Sequence, residues 1–159
     1  MDEILEILEK DGRRPTAEIA ALAGRSEAET AAAIAAYEAD GVITGYAALV
    51  NWEKTDSERV TALIEVKVTP QRDRGFDQVA KRIYGYPEVK ACYLMSGGFD
   101  LTVVIEGRSM KEVALFVAEK LATIDSVNST ATHFILKKYK DNGVVFGLRR
   151  NDDREQVLL

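Results

Sequence analysis

Apolar positions recur at helical spacing through the first forty residues, and from residue 62 the period changes to two. Ile4, Leu5 and Leu8 lie on one helical face, and Asp11-Gly12 closes that segment. Thr16 is placed to cap a second helix carrying Ile19, Leu22 and Ala23, and Gly24-Arg25 forms a tight turn. Ser26 and Glu29 make an S-x-x-E capping box, in which hydroxyl and carboxylate satisfy free amides at a helix start. The third helix runs through alanine-rich sequence to Asp40, with Ile34 and Tyr37 as expected core contacts, and Gly41 stops it. Three short helices with glycine in the second turn fit a helix-turn-helix, and also a small bundle that only packs.

Residues 42–52 read as short extended segments, a wing or linker, and Lys54–Arg59 as a polar loop. Ala62, Ile64, Val66 and Val68 then alternate with Leu63, Glu65, Lys67 and Thr69, and Pro70 closes the strand. Phe76, Val79, Ala80 and Ile83 mark an amphipathic helix ended by Gly85 and Pro87. Val89–Met95 and Leu101–Glu106 are the next two strands. Ser109 and Glu112 form a second capping box before a helix carrying Val113, Phe116, Val117, Leu121 and Ile124, and residues 126–139 hold the last strand. The fold class is α+β: a winged helix-turn-helix over residues 1–52, then a ferredoxin-like β-α-β-β-α-β unit over 60–140, then a tail over 141–159. Such a unit leaves one sheet face uncovered. Leu63, Leu94, Thr102, Val104 and alternate residues of the last strand are expected there, which favours a homodimer.

Composition narrows the class. The chain is 47% hydrophobic and 30% charged, as in water-soluble globular proteins. No apolar run approaches the roughly 18 residues of a membrane span, so no membrane partner is expected. The acidic N-terminus resembles neither a signal nor a transit peptide, and the single cysteine, Cys92, reads as a small core hydrophobe. A reducing, cytoplasmic setting follows as an expectation. The net charge of −5 is uneven: residues 1–46 hold four basic side chains against ten acidic ones.

Between the second and third strands stands Ser96-Gly97-Gly98-Phe99-Asp100. Most Gly-Gly turns are simple connections. This one also leaves backbone amides uncovered, with a lone carboxylate at its exit. Amides at Gly97 and Gly98 can hold a carboxylate while Asp100 meets an ammonium, the combination a zwitterionic amino acid requires. Phe99 belongs to the same turn, and Met95 or Leu94 is placed to line a side-chain pocket. Thr130 and Thr132 on the last strand offer hydroxyls, although threonine is also an ordinary strand residue. One histidine, His133, cannot build a multi-histidine metal site, and no nucleophile elbow, P-loop or Rossmann fingerprint is present. Neither catalytic residues nor a metal or other cofactor are expected.

These pieces in order resemble the Lrp/AsnC (feast/famine) transcription regulators over nearly the whole chain. The resemblance rests on the helix-turn-helix leading into Asp40-Gly41-Val42-Ile43-Thr44-Gly45-Tyr46, on Ser96–Asp100, and on Thr130-Ala131-Thr132-His133-Phe134-Ile135-Leu136-Lys137. It implies an N-terminal domain binding double-stranded DNA and a C-terminal ligand-sensing, dimerising domain. It further implies dimers assembled into larger even-numbered oligomers, with an amino acid or related metabolite bound between subunits. The third helix departs from the pattern. It contains no Lys, Arg, Asn or Gln, and Glu27 and Glu29 stand in its first turn. Arg13, Arg14 and Arg25 are then the expected phosphate contacts, with Ser26, Glu27 and Thr30 as base or backbone contacts. A DNA-free metabolite sensor of the same fold is the alternative. A tetrapyrrole decarboxylase-like enzyme is a weaker one, since such proteins need histidine and arginine around the pocket.

Overall fold

The computed structural model describes residues 2–69 and 75–146. Two compact units divide the chain, Met1–Val50 and Asn51–Leu159.

The first unit holds α1 (Glu3–Lys10), α2 (Thr16–Leu22) and α3 (Glu27–Ala39). Asp2 caps α1, its carboxylate accepting from the Ile4 amide at 3.1 Å. Thr16 is the first residue of α2 and not its cap; Pro15 holds that position, and no side chain bonds the free amides. Gly24, at φ 63°, makes the turn into α3 that a side chain would strain. The capping box of Ser26 and Glu29 is complete. Ile4, Ile19, Ala20 and Thr30 form the buried centre, whereas Leu22 is 58% exposed and Ile34 and Tyr37 are only half-buried. Thr30 is buried without penalty because its hydroxyl donates to the Ser26 carbonyl at 2.9 Å. Residues 42–51 form no strand within this chain.

The second unit contains β1 (Val60–Val68), α4 (Asp77–Tyr84), β2 (Val89–Leu94), β3 (Leu101–Gly107), α5 (Met110–Phe116) and β4 (Val127–Phe134). The sheet order is β2-β3-β1-β4, with every neighbouring pair antiparallel. Alternation along β1 sends Ala62, Ile64, Val66 and Val68 into a core shared with Leu101, Val103 and Ile105 of β3. Val79 and Ile83 of α4 and Val113 and Phe116 of α5 cover that one face. α5 continues as a π turn over Val117–Leu121. The wider turn accounts for the five-residue step between buried Phe116 and Leu121. Only half of the second capping box forms: Ser109 caps the Glu112 amide, but the Glu112 carboxylate accepts from the Arg108 amide at 2.6 Å.

The uncovered face carries two rows across all four strands. One runs Ala91, Val104, Leu63, His133, and the other Tyr93, Thr102, Glu65, Ala131. Leu94 is not in it. A register shift between Val89 and Ala91 reverses the parity of β2, so Leu94 pairs with core-facing Leu101 at the sheet's edge and is 62% exposed. The last strand ends at Phe134, earlier than the sequence suggests. The start of the expected tail is a hairpin: β5 (Lys140–Asp141) and β6 (Val144–Val145) flank Asn142-Gly143, both at positive φ as in a type I′ turn. Pro70 and residues 147–159 lie outside the described residues.

Candidate functional site

In the first unit, two of the three expected phosphate contacts, Arg14 and Arg25, stand near carboxylates. Arg25 Nη2 lies 3.4 Å from Asp2 Oδ1, so the cation preceding α3 is partly neutralised from the start of α1. Asp2 also accepts a hydrogen bond from the Tyr37 hydroxyl. That bond above all, then the Ile4 amide, holds the Asp2 carboxyl below its usual range, with Arg25 adding to the effect; the same bond raises the Tyr37 phenol. Asp2 therefore ties together α1, α3 and the turn before α3. The sequence pattern alone does not disclose this knot; its one visible signal is an aspartate at the cap of the first helix. Arg14 is half-buried between Asp11 and Glu18, at 3.8 and 3.7 Å. Arg13 is exposed, and among the described residues only its backbone amide is bonded, to Asp11.

Of the expected base contacts, Ser26 is committed to the capping box and Thr30 is fully buried. Thr30 is thereby corrected from a DNA contact to a core residue, because its own helix satisfies its hydroxyl. Glu27 is exposed.

In the second unit, Met95, Gly97, Gly98, Phe99 and Asp100 come together in the connection between β2 and β3. Gly97 has φ 144°, in glycine's region, and a Cβ at either glycine would meet nothing within 4 Å. Both residues are exposed, and neither amide donates a backbone hydrogen bond among the described residues. Asp100 is not the free, solvent-facing group its turn suggests. Its Oδ2 accepts from the Val68 amide at 2.9 Å, and its own amide donates to the Val66 carbonyl at 3.1 Å. One carboxylate oxygen thus fastens the turn to the end of β1.

Thr130 and Thr132 pair with Val66 and Ile64, so they lie on the helix-covered face, half-buried in edge strand β4. Asp100 and Thr130 flank β1 on opposite sides, about 10 Å apart at two strand spacings. One small carboxylate cannot touch both threonines and the glycine turn of the same chain.

A cavity of about 530 Å³ lies at the opposite end of β3, lined in part by Glu58, Glu88, Glu106, Glu112 and Lys120. Three of its carboxylates are engaged, Glu88 with Lys120, Glu106 with Arg59 at 3.3 Å, and Glu112 with Arg108 at 3.5 Å, while Glu88 Oε2 is buried without a hydrogen-bond partner among the described residues. The Lys120 bond above all keeps the Glu88 carboxyl below its ordinary range. None of the expected effector residues lines this cavity. Among the described residues, no group of three or more His, Cys, Asp or Glu side chains could hold a metal ion. No helix there is long and apolar enough to cross a membrane.

Comparison with known proteins assigns both units. Residues 3–44 match the family model for winged helix-turn-helix DNA-binding, and residues 61–145 match that for the Lrp/AsnC ligand binding domain. The chain is 53% identical over 158 residues to the uncharacterized HTH-type transcriptional regulator YugG of Bacillus subtilis strain 168, covering 99% of this chain and 94% of that protein. It is 31% identical over 134 residues to the proline dehydrogenase transcriptional activator of Rhodobacter capsulatus, covering 84% and 86%. A transcriptional regulator of Neisseria meningitidis, solved as an L-Met complex, shares the fold with a TM-score of 0.71 at 24% identity, covering 94% of each chain. A DNA-binding unit followed by a small-molecule ligand domain defines a one-chain transcriptional regulator. The chain belongs to the Lrp/AsnC family.

Proposed function

We propose that this regulator responds to an amino acid held at the Met95–Asp100 turn and acts as a homodimer that assembles into a larger even-numbered oligomer. The observation that carries the effector reading is the pair of exposed glycines, Gly97 and Gly98, whose amides donate no backbone hydrogen bond among the described residues, beside a carboxylate with one oxygen engaged. Amides meet the ligand's carboxylate, and Asp100 meets its ammonium. The L-Met complex of the Neisseria protein supports the same ligand class. Thr130 and Thr132 enter this reading only as contributions from a second copy. The role is regulatory and cytoplasmic, without catalysis. The test is selection of genomic DNA fragments by purified protein, with and without pooled amino acids, followed by calorimetry against each acid. Fragment enrichment that no amino acid alters, with no heat of binding, overturns the effector.

On the DNA side, phosphate contacts fall to Arg13 and Arg25, because α3 offers no cation. Arg25→Ala is expected to weaken binding nearly uniformly across sequences and to shallow the salt dependence by about one unit for each phosphate that is no longer neutralised. Asp2→Asn keeps a good cap for α1 but releases Arg25 from its charged partner. It is expected to strengthen binding several-fold at low salt, as read by anisotropy titration. Unchanged affinity in both variants rejects a role for Arg25.

A further inference from the structure

We infer that Glu27 is the side chain with which α3 reads base identity, by accepting a hydrogen bond from the N4 amine of cytosine in the major groove. The inference rests on reading α3 as the helix that enters the groove, the second helix of the helix-turn-helix.

α3 carries five polar side chains, and four are already committed. Glu29 accepts from the Ser26 amide at 3.0 Å and the Ser26 hydroxyl at 2.6 Å. Thr30 is buried against its own helix. Tyr37 donates to Asp2, and Glu38 accepts from the Tyr46 hydroxyl at 2.9 Å. Glu27 is exposed and has no hydrogen-bond or ion-pair partner among the described residues. It is also the first residue of α3, and recognition helices present their N-terminal residues to base edges. The other exposed positions on this helix include Ala28, Ala31, Ala32, Ala35 and Ala36, which offer only methyl groups.

A carboxylate can only accept. Guanine presents N7 and O6 and thymine presents O4, all acceptors that repel it. Adenine presents an amine beside acceptor N7. In its pair that amine is flanked by acceptors on both sides, N7 and thymine O4, whereas cytosine N4 has guanine O6 on one side only, so cytosine is the base that Glu27 favours. The same charge is repelled by phosphates at every site, and that repulsion is offset only where the cytosine amine is met. Glu27 therefore lowers non-specific affinity while adding selectivity. That suits a first unit in which acidic residues outnumber basic ones.

Three full-length proteins distinguish the outcomes: wild type, Glu27→Gln and Glu27→Ala. Each is put through selection from a randomised duplex library, then competition between single-base variants of the selected site. Wild type is expected to prefer cytosine at one position per half-site by on the order of tenfold. Glu27→Gln should move that preference to adenine, whose N6 and N7 match an amide, and leave the other positions unchanged. Glu27→Ala should lose preference at that position and bind random DNA more tightly. Retention of the wild-type preference at every position in both variants, with binding intact, overturns the inference and leaves the regulator reading standing. Failure of the wild type to select any sequence, even at low salt, overturns the groove-entering role of α3 and the inference with it. An exposed first-turn residue should leave the melting temperature of both variants close to that of wild type.

Discussion

Leu63→Asp is expected to turn the proposed homodimer into a folded monomer. Leu63 occupies the middle of the uncovered sheet face, paired with Val104 on one side and His133 on the other. It is 38% exposed, and Tyr93 on the neighbouring row is 56% exposed. A second copy laid on this face would bury both rows and seal the apolar surface. A second carboxylate at its centre would then be desolvated beside Glu65, which already engages His133 at 3.3 Å on that face, a cost of about 3–5 kcal/mol. That raises the dimer dissociation constant by on the order of a thousandfold. The isolated fold should tolerate the change, because Leu63 points away from the core made by Ala62 and Ile64. Light scattering and circular dichroism on the full chain check it. A monomer with native helix and strand signal is the expected result. An unchanged dimer would assign assembly to another surface, and the sheet edges would be next to test.

The alternation of Ala62, Ile64, Val66 and Val68 was legible because a strand has an invariant two-residue period and one face is buried. The order of helices and strands followed from similar local patterns and their capping residues. What was not legible depends on interruptions and on distant partners. Leu94 departs from simple alternation because the shift between Val89 and Ala91 reverses parity midway along β2, and no local composition announces it. Thr30 read as a surface hydroxyl, yet its bond to the Ser26 carbonyl lets it enter the core. Asn142-Gly143 is itself a hairpin signal, and the reading of residues 141–159 as a tail passes over it. At the candidate sites, the glycines were legible as a turn. The commitments of Arg25 and Asp100 were not, since their partners lie 23 and 32 residues away in sequence. A side chain's availability for a ligand is decided by such tertiary partners, and residue type alone does not reveal it.

Asp100 shows how that difference changes an expectation. A solvent-facing turn carboxylate would contribute about 0.5 kcal/mol or less to stability. The observed bond from the Val68 amide predicts more. Removing the acceptor leaves a part-buried N–H unpaired at the end of β1, next to the point where Asp100 also bonds Val66. Asp100→Ala is therefore expected to destabilise the second unit by about 1.5–3 kcal/mol, the range for a hydrogen bond to a charged group. Asp100→Asn retains an oxygen for Val68 and should recover most of that deficit. The asparagine variant then isolates the other role, since it keeps the fold but lacks the charge that would meet an ammonium. Its affinity for the effector should fall by at least tenfold, because a charge-assisted bond worth about 1.5–3 kcal/mol is removed. Denaturant unfolding of both variants and calorimetry of the asparagine variant supply the readouts. An alanine variant as stable as wild type would reject the structural role. An asparagine variant that binds the effector with undiminished affinity would confine Asp100 to holding the turn, leaving the amides of Gly97 and Gly98 as the ligand contacts.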